Sequence, residues 1–150
     1  MLLYPFKPGD LLRLMGKTST PAFNQNHFIL KFFEFDGSPN EISLTLNLIP
    51  SEISSPHEKG FWSQDIRKDS NYMLGDLLHD YLNEVILPRK ELIKKITRKC
   101  SVARITIVQY NFHTCNPGLF INATSVKLLA EINTELDIDF YCLADTNLNP

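Results

Sequence analysis

Two aspartates and a tyrosine alternate along the last apolar segment of the chain. Asp137, Asp139 and Tyr141 occupy every second position between Leu136 and Cys142, which predicts a strand with these three side chains on one face. Carboxylates about 6.6 Å apart on such a face can seat a hard cation, pair with a basic partner or flank a substrate. The same alternation is typical of a solvated strand face, and two carboxylates are too few for a calcium or magnesium site. A solvated face is therefore the favoured interpretation, Asp137, Asp139 and Tyr141 are candidates for partner binding, and we predict no metal.

His113 and Cys115 come closest to a nucleophile and its base. A cysteine nucleophile needs a histidine within hydrogen-bonding reach and a third group that orients it, and the sequence supplies no third group. Two ligands are also too few for zinc. Phosphate-binding glycine loops and the G-x-S-x-G motif are absent. We predict ordinary turn residues, no catalytic residue and no cofactor, and prefer a non-enzymatic role while leaving an enzyme open.

The single tryptophan, Trp62, has two interpretations. A ring of this size usually packs in or beside the core. Tryptophan is also enriched as an anchor at protein interfaces, so Trp62 is a second candidate for partner binding.

A basic stretch follows the middle of the chain. Between Glu84 and Arg104 the sequence contains seven Lys or Arg and two Glu. From Ile105 onward it contains one Lys and five acidic residues. Lys90, Lys94 and Arg98 recur at four-residue steps, which predicts one exposed helix face. No nucleic-acid motif or stacking aromatic accompanies these charges, so a solvated face is favoured over a site for an acidic partner or nucleic acid.

The composition indicates one globular domain. The chain has 150 residues, 43% hydrophobic and 21% charged residues, and a net charge of −2, which gives no overall attraction to nucleic acid or anionic membrane. No segment approaches the length of a membrane span or signal peptide. Three cysteines without metal or redox spacing fit a reduced, cytoplasmic setting.

The first half of the chain alternates strands and helices. We predict an extension over residues 1–26, a domain over 27–150, a strand over 28–35 and a helix opened by Ser38 and Pro39. Ile42, Leu46 and Ile49 form the expected apolar stripe of that helix. Residues 50–60 are expected to form a loop, and residues 61–66 a weaker strand.

The second half holds the strongest helical pattern. Apolar residues recur at helical spacing from Leu74 to Val85, Pro88 breaks the pattern, and a further helix carries Ile93 and Ile96. Strands are predicted over 103–112, 119–121 and 136–142. A helix capped by Asn122 should lie between the last two and bury Val126, Leu129 and Ala130.

This order predicts an α+β fold. The last six elements form a β-α-β-β-α-β unit of the ferredoxin-like kind, preceded by a strand and a helix. We expect a mostly antiparallel sheet with helices on one face, so that the polar residues of the last strand point to the free face.

Several of these segments resemble a bacterial family known as domain of unknown function 4279. The resemblance rests on the run that begins with Ser38 and Pro39, on Gly60 followed by Trp62, on Asn116-Pro117-Gly118, and on the last strand. It covers about residues 27–143. The resemblance implies a compact bacterial α+β protein and carries over no catalytic residue.

Three functions remain open at this stage. The preferred one is a non-enzymatic protein-binding module, immunity-like or regulatory, with a toxin or regulatory protein as its partner. The second is a small-molecule-binding or enzymatic domain with a pocket beside the sheet, next to residues 1–26 or 50–60. The third is a structural homodimer formed through a sheet face or edge.

Overall fold

The computed structural model describes residues 21–55, 59–113 and 118–143. The described chain is α+β, as predicted. In chain order its elements are β1 (Gln25–Phe35), α1 (Pro39–Leu46), β2 (Glu52–Ile53), β3 (Phe61–Asp69), α2 (Leu74–Tyr81), α3 (Lys90–Thr97), β4 (Cys100–Asn111), α4 (Ala123–Glu131) and β5 (Glu135–Cys142). A π-helical turn, Leu82–Ile86, and a 3-10 turn, Leu87–Arg89, join α2 to α3. Pro88 is therefore accommodated by a change of helix type within a continuous helical segment.

The five strands form one sheet in the order β2-β3-β1-β4-β5. The central strand β1 is antiparallel to β3 and to β4, whereas β5 is parallel to β4 because α4 carries the chain back across the sheet. The expectation of a mostly antiparallel sheet is therefore corrected to a mixed sheet.

The ferredoxin-like topology is not confirmed. The predicted strand over residues 119–121 does not form: these residues are described and carry no strand, and α4 begins at Ala123. Gly118 does adopt the positive φ of 56° that a turn favours. The edge of β4, where a hairpin would have placed residues 119–121, is occupied by β5.

The core lies between the helices and one face of the sheet. Alternation along β1 sends Phe28, Leu30 and Phe32 to this face, and the register places Ile107, Ile105 and Ala103 of β4 beside them. The helices contribute buried leucines and isoleucines to the same cluster. The helices and this face of the sheet therefore share one core.

Helix ends follow the sequence signals better than helix faces do. Ser38 caps α1, but the helix stops at Asn47, whose φ of 51° is left-handed, and Ile49 beyond it is 85% exposed instead of buried.

Asn122 caps α4 as predicted, by accepting a hydrogen bond from the Ser125 N–H at 2.8 Å. The buried stripe of α4 is Ser125, Leu128 and Leu129, so the prediction for Val126 and Ala130, both exposed, is wrong. The helix is rotated by about one position from the predicted orientation.

The strand β1 begins two residues before the predicted domain boundary, at Gln25. The Asn26 amide donates to the Lys68 carbonyl at 2.8 Å and accepts from the Gln109 amide at 2.7 Å, which joins β3, β1 and β4 inside the core. Residues 1–20 lie outside the described part, so the role of the extension remains a prediction.

Of the two cysteines in the described residues, one departs from the expected reduced state. Cys142 is disulfide-bonded, whereas Cys100 is a free thiol whose pKa is raised by burial. Within the described residues, no helix has the length and apolar character needed to cross a bilayer.

Candidate functional site

The sheet face opposite the helices gathers the candidate residues. We call this surface the open face. The strand register aligns its side chains in rows across β1, β4 and β5: Ile29, Thr106 and Asp137; His27, Val108 and Asp139; Gln25, Tyr110 and Tyr141. Asp137, Asp139 and Tyr141 therefore share one face with residues from two other strands, as the alternation predicted.

Most charged groups of the open face pair with each other. His27 Nδ1 lies 2.9 Å from Asp65, joining β1 to β3. This face also holds two ion pairs, Arg67 with Asp69 at 2.7 Å and Arg104 with Glu135 at 2.8 Å. These charges are satisfied within the protein.

Asp137 and Asp139 are different, because both are exposed and neither has an ion pair or hydrogen bond among the described residues. Lys31 and Glu52 are the other charged residues of the open face without a described partner. The two aspartates thus form an acidic stretch on β5 that no cation among the described residues pairs with.

Aromatic rings border the aspartates. Tyr141 stacks on Tyr110 with ring centroids 5.1 Å apart, and His27 meets the Tyr110 ring edge-on at 6.1 Å. Burial is the main cause that raises the pKa of Tyr110, followed by the neighbouring Tyr141 and the charge of Asp139. Tyrosine is enriched at protein interfaces, whereas aspartate is depleted there, so the ring and not the charge is the interface-like feature of this surface.

Thr106 stands between Ile29 and Asp137 on the open face. The residue is 2% exposed, and its hydroxyl has no hydrogen-bond partner among the described residues. A buried polar group left unpaired costs about 1–3 kcal/mol. The hydroxyl is covered by its neighbours, so it is a local cost to stability and lies out of reach of a partner.

Trp62 lies elsewhere. It is 0% exposed, packs on Phe32 with ring centroids 5.5 Å apart and donates its indole N–H to the Ser43 hydroxyl at 2.9 Å. A side chain with no exposed surface cannot anchor a partner in this structure, so Trp62 is excluded from the candidate surface. The core interpretation of this ring agrees with its position.

Two histidine clusters were not apparent from the sequence. The His27 and Asp65 pair depends on strand register, which the sequence does not display. His79 Nδ1 lies 3.3 Å from the Ser125 hydroxyl, but Ser125 is 2% exposed and serves the start of α4. A nucleophile must reach substrate, so this contact is a structural link between α2 and α4. In the sequence, only the predicted Asn122 cap pointed to this end of α4.

The remaining chemical candidates stay apart. His113 is exposed, and Cys115 lies outside the described residues. Among residues 21–55, 59–113 and 118–143, no three His, Cys, Asp or Glu side chains gather closely enough to hold a metal.

The basic helix face is partly neutralised. Lys90 forms an ion pair with Glu131 of α4, and Lys94 lies 3.6 Å from Glu91. Pairing with acidic neighbours is what a solvated helix face predicts, and it weakens the case for phosphate binding there.

A pocket of about 760 Å³ lies beside the predicted loop over residues 50–60. The end of β1, the start of α1, β2 and Gly60 surround it, and Lys59 pairs with Glu34 across its rim at 3.1 Å. Its described polar lining comes from several elements, which is the arrangement expected of a small-molecule site.

The comparisons with known proteins give a family and no activity. The family model of a domain of unknown function, DUF4279, matches residues 24–143, most of the chain. The chain therefore belongs to this family, which confirms the resemblance noted from its motifs. No curated protein and no solved structure is detectably similar to it.

Proposed function

We propose that this member of the DUF4279 family is a non-enzymatic protein-binding module, immunity-like or regulatory. Its recognition surface is the β5 side of the open face, centred on Asp137, Asp139 and Tyr141. The observation that carries the proposal is the pair of unpartnered carboxylates on a face where His27, Arg67 and Arg104 all have internal acidic partners.

The charge on this surface favours a basic partner. Two unpartnered carboxylates at adjacent positions of one strand face repel each other, and a Lys or Arg of the partner would remove that repulsion. Tyr141 adds a rigid, amphipathic contact beside them. No metal or cofactor is needed for this role.

Charge reversal tests the proposal. The partner is first isolated from the native host with a tagged copy of the chain, then purified so that its affinity can be measured by calorimetry. Asp137→Lys with Asp139→Lys should weaken the complex at least tenfold and leave the melting temperature unchanged. Asp80→Lys is the matched control, because Asp80 is an exposed aspartate of α2 on the opposite side of the sheet and should leave affinity unchanged.

Two outcomes would contradict the proposal. Equal affinity of the double variant and the wild type would remove the open face from recognition. A lower melting temperature of the double variant would mean that the aspartates are structural. A toxin partner, which the immunity reading requires, is checked by co-expression: the wild type should restore growth and the double variant should not.

A second candidate function is small-molecule binding in the pocket beside Gly60, and the pocket's polar lining from several elements supports it. Thermal-shift screening with a metabolite library should then raise the melting temperature, and Lys59→Ala should reduce that rise. Absence of any shift would argue strongly against this candidate. Light scattering tests the third, structural candidate, for which a monomer at all concentrations is the contrary result.

The same proposal assigns the protein to the bacterial cytoplasm, where thiols are kept reduced. The disulfide-bonded state of Cys142 makes this location testable. Host cells are treated with an alkylating reagent before lysis, and the protein is analysed by mass spectrometry. A cytoplasmic protein should carry alkyl groups on all 3 cysteines; an unmodified Cys142 would place the protein in an oxidising compartment.

A further inference from the structure

The strand β5 forms one edge of the sheet, and within the described residues no strand pairs with its outer side. It is 8 residues long, whereas β2 at the opposite edge has 2 residues. A long strand edge presents unpaired N–H and C=O groups that can template another strand. The surface with the unpartnered aspartates therefore ends in a row of available backbone hydrogen-bonding groups.

The register indicates which backbone groups point outward. The Leu143 N–H donates to the Asn111 carbonyl of β4 at 2.8 Å. Along a parallel ladder every second residue bonds to the same neighbour, so Asp137, Asp139 and Tyr141 direct their backbone toward β4. Leu136, Ile138 and Phe140 accordingly direct theirs to the open side.

We propose that β5 binds an extended segment of the partner protein as an added strand, with Lys or Arg at alternate positions of that segment facing Asp137 and Asp139. This inference rests on the proposed function and specifies its partner. Backbone hydrogen bonds to Ile138 and Phe140 would supply affinity, and the two carboxylates would select the basic side chains.

A second copy of this chain is the less favourable occupant. Antiparallel pairing of two β5 strands about Ile138 would place Asp137 of each copy opposite Asp139 of the other, and like charges opposite each other destabilise a strand pair. A basic strand reverses the sign of that interaction.

Synthetic peptides provide the first test. The probe is an acetylated, amidated peptide that alternates lysine with valine over the length of β5, and its control has the same composition with the lysines in one block. We expect the alternating peptide to bind at least tenfold more tightly in fluorescence anisotropy, and to protect the amides of Ile138 and Phe140 from hydrogen exchange. Equal binding of the two peptides would overturn the proposal, because charge alone would then explain it.

Two N-methylated peptides test the backbone bonds. In an antiparallel pair the valine N–H groups would face β5, and in a parallel pair the lysine N–H groups would do so. Methylation of one of these sets should therefore weaken binding at least tenfold, and the set that does so gives the strand direction. Binding that tolerates both methylations would rule out strand addition.

The full chain and its native partner provide the second test. Phe140→Pro removes an outward N–H at an edge position that tolerates proline, and Phe140→Thr loses the same ring but keeps the N–H. Phe140 is 44% exposed, so both variants should fold, with circular dichroism as the check. Only Phe140→Pro should lose partner binding, by at least tenfold.

The two proposals fail in different ways. If Asp137→Lys with Asp139→Lys weakens the complex while Phe140→Pro binds as tightly as Phe140→Thr, the open face recognises the partner without strand addition, and this inference alone is overturned. If neither change weakens the complex, the proposed function fails as well.

Discussion

Asp139→Asn tests whether the exposed aspartates of β5 serve binding or structure. Asp139 has no ion pair or hydrogen bond to lose among the described residues, and its carboxylate lies about 6.6 Å from that of Asp137 along the strand. Two like charges at this distance repel by about 0.6 kcal/mol in water, and screening at physiological ionic strength leaves about 0.3 kcal/mol. The substitution should therefore raise the free energy of unfolding by about 0.3 kcal/mol while weakening partner binding.

Urea unfolding at low and high salt measures this gain. The stabilisation should be larger at low salt and vanish at high salt, because only a screened repulsion has been removed. A second readout is the titration of Tyr110, whose pKa the charge of Asp139 helps to raise. Its phenolate absorbance should appear at lower pH in the variant, and Tyr110→Phe identifies the transition that belongs to this ring.

Asp69→Asn is the matched control. Asp69 accepts two hydrogen bonds from Arg67, at 2.7 and 2.8 Å, so its neutralisation should destabilise the fold where Asp139→Asn does not. A loss of more than about 1 kcal/mol on Asp139→Asn, the scale of a hydrogen bond to a partner within the chain, would refute the reasoning and make Asp139 structural. Unchanged binding would equally remove it from the recognition surface.

Three further predictions concern the fold that supports the site. Tyr81→Phe should stabilise the protein by about 1 kcal/mol in urea unfolding, because the Tyr81 hydroxyl is buried without a described partner. Burial also raises the pKa of Tyr81 in the folded protein. Above about pH 10 this tyrosine ionises in the unfolded chain first, so the wild type should lose stability there that the variant keeps. Gly60→Ala should destabilise by about 2 kcal/mol or more, since its Cβ would lie 2.5 Å from the Phe35 carbonyl oxygen; a neutral result would contradict the geometry. The Arg67 guanidinium holds the pKa of Asp69 below its usual value, so the contribution of this pair, about 0.5 kcal/mol, is present above about pH 4 and is lost as pH falls through the lowered pKa. Acid unfolding of Asp69→Asn should lack that component, and identical acid curves would show the pair to be inert.

The sequence predicted local structure correctly where its apolar residues recur with a single period, either helical or alternating. Apolar spacing from Leu74 to Tyr81 predicted α2, and alternation from Leu136 to Cys142 predicted both β5 and the face of each residue. In both segments the apolar face also packs on the core, so local pattern and tertiary burial agree. Caps at Ser38 and Asn122 were predictable for the same local reason.

Arrangement of the elements was less predictable. The short apolar run at residues 119–121 fits a strand as well as a connection, and the free edge of β4 is taken by β5, a partner distant in sequence. The exposed position of Val126 in α4 reflects a small rotation of the helix over the sheet, and a helix with few apolar residues does not define its rotation closely.

The candidate site could be predicted only in part from the sequence, for a related reason. Alternation was enough to place Asp137 and Asp139 on one face, but it could not show which charges on that face find partners. Arg104 meets Glu135 only because β4 and β5 run parallel in one particular register. The same register places no described cation beside Asp137 and Asp139. Their unpaired state, which marks the candidate site, therefore arises from the sheet topology.

Edge protection and partner recognition impose different demands on β5, and the two aspartates satisfy both. Charged side chains on an edge strand discourage a sheet from pairing with copies of itself, and lysine is the usual choice. Aspartate at two alternate positions also discourages pairing with an identical strand, because negative charges of the two copies would lie opposite each other. Unlike lysine, it leaves the edge receptive to a strand with basic residues. The outward backbone groups of Ile138 and Phe140 would then pair poorly with a second copy of β5 and well with a basic strand. Strand addition and charge selection therefore act together on β5, and Phe140→Pro and Asp139→Asn are expected to weaken the same complex for different physical reasons.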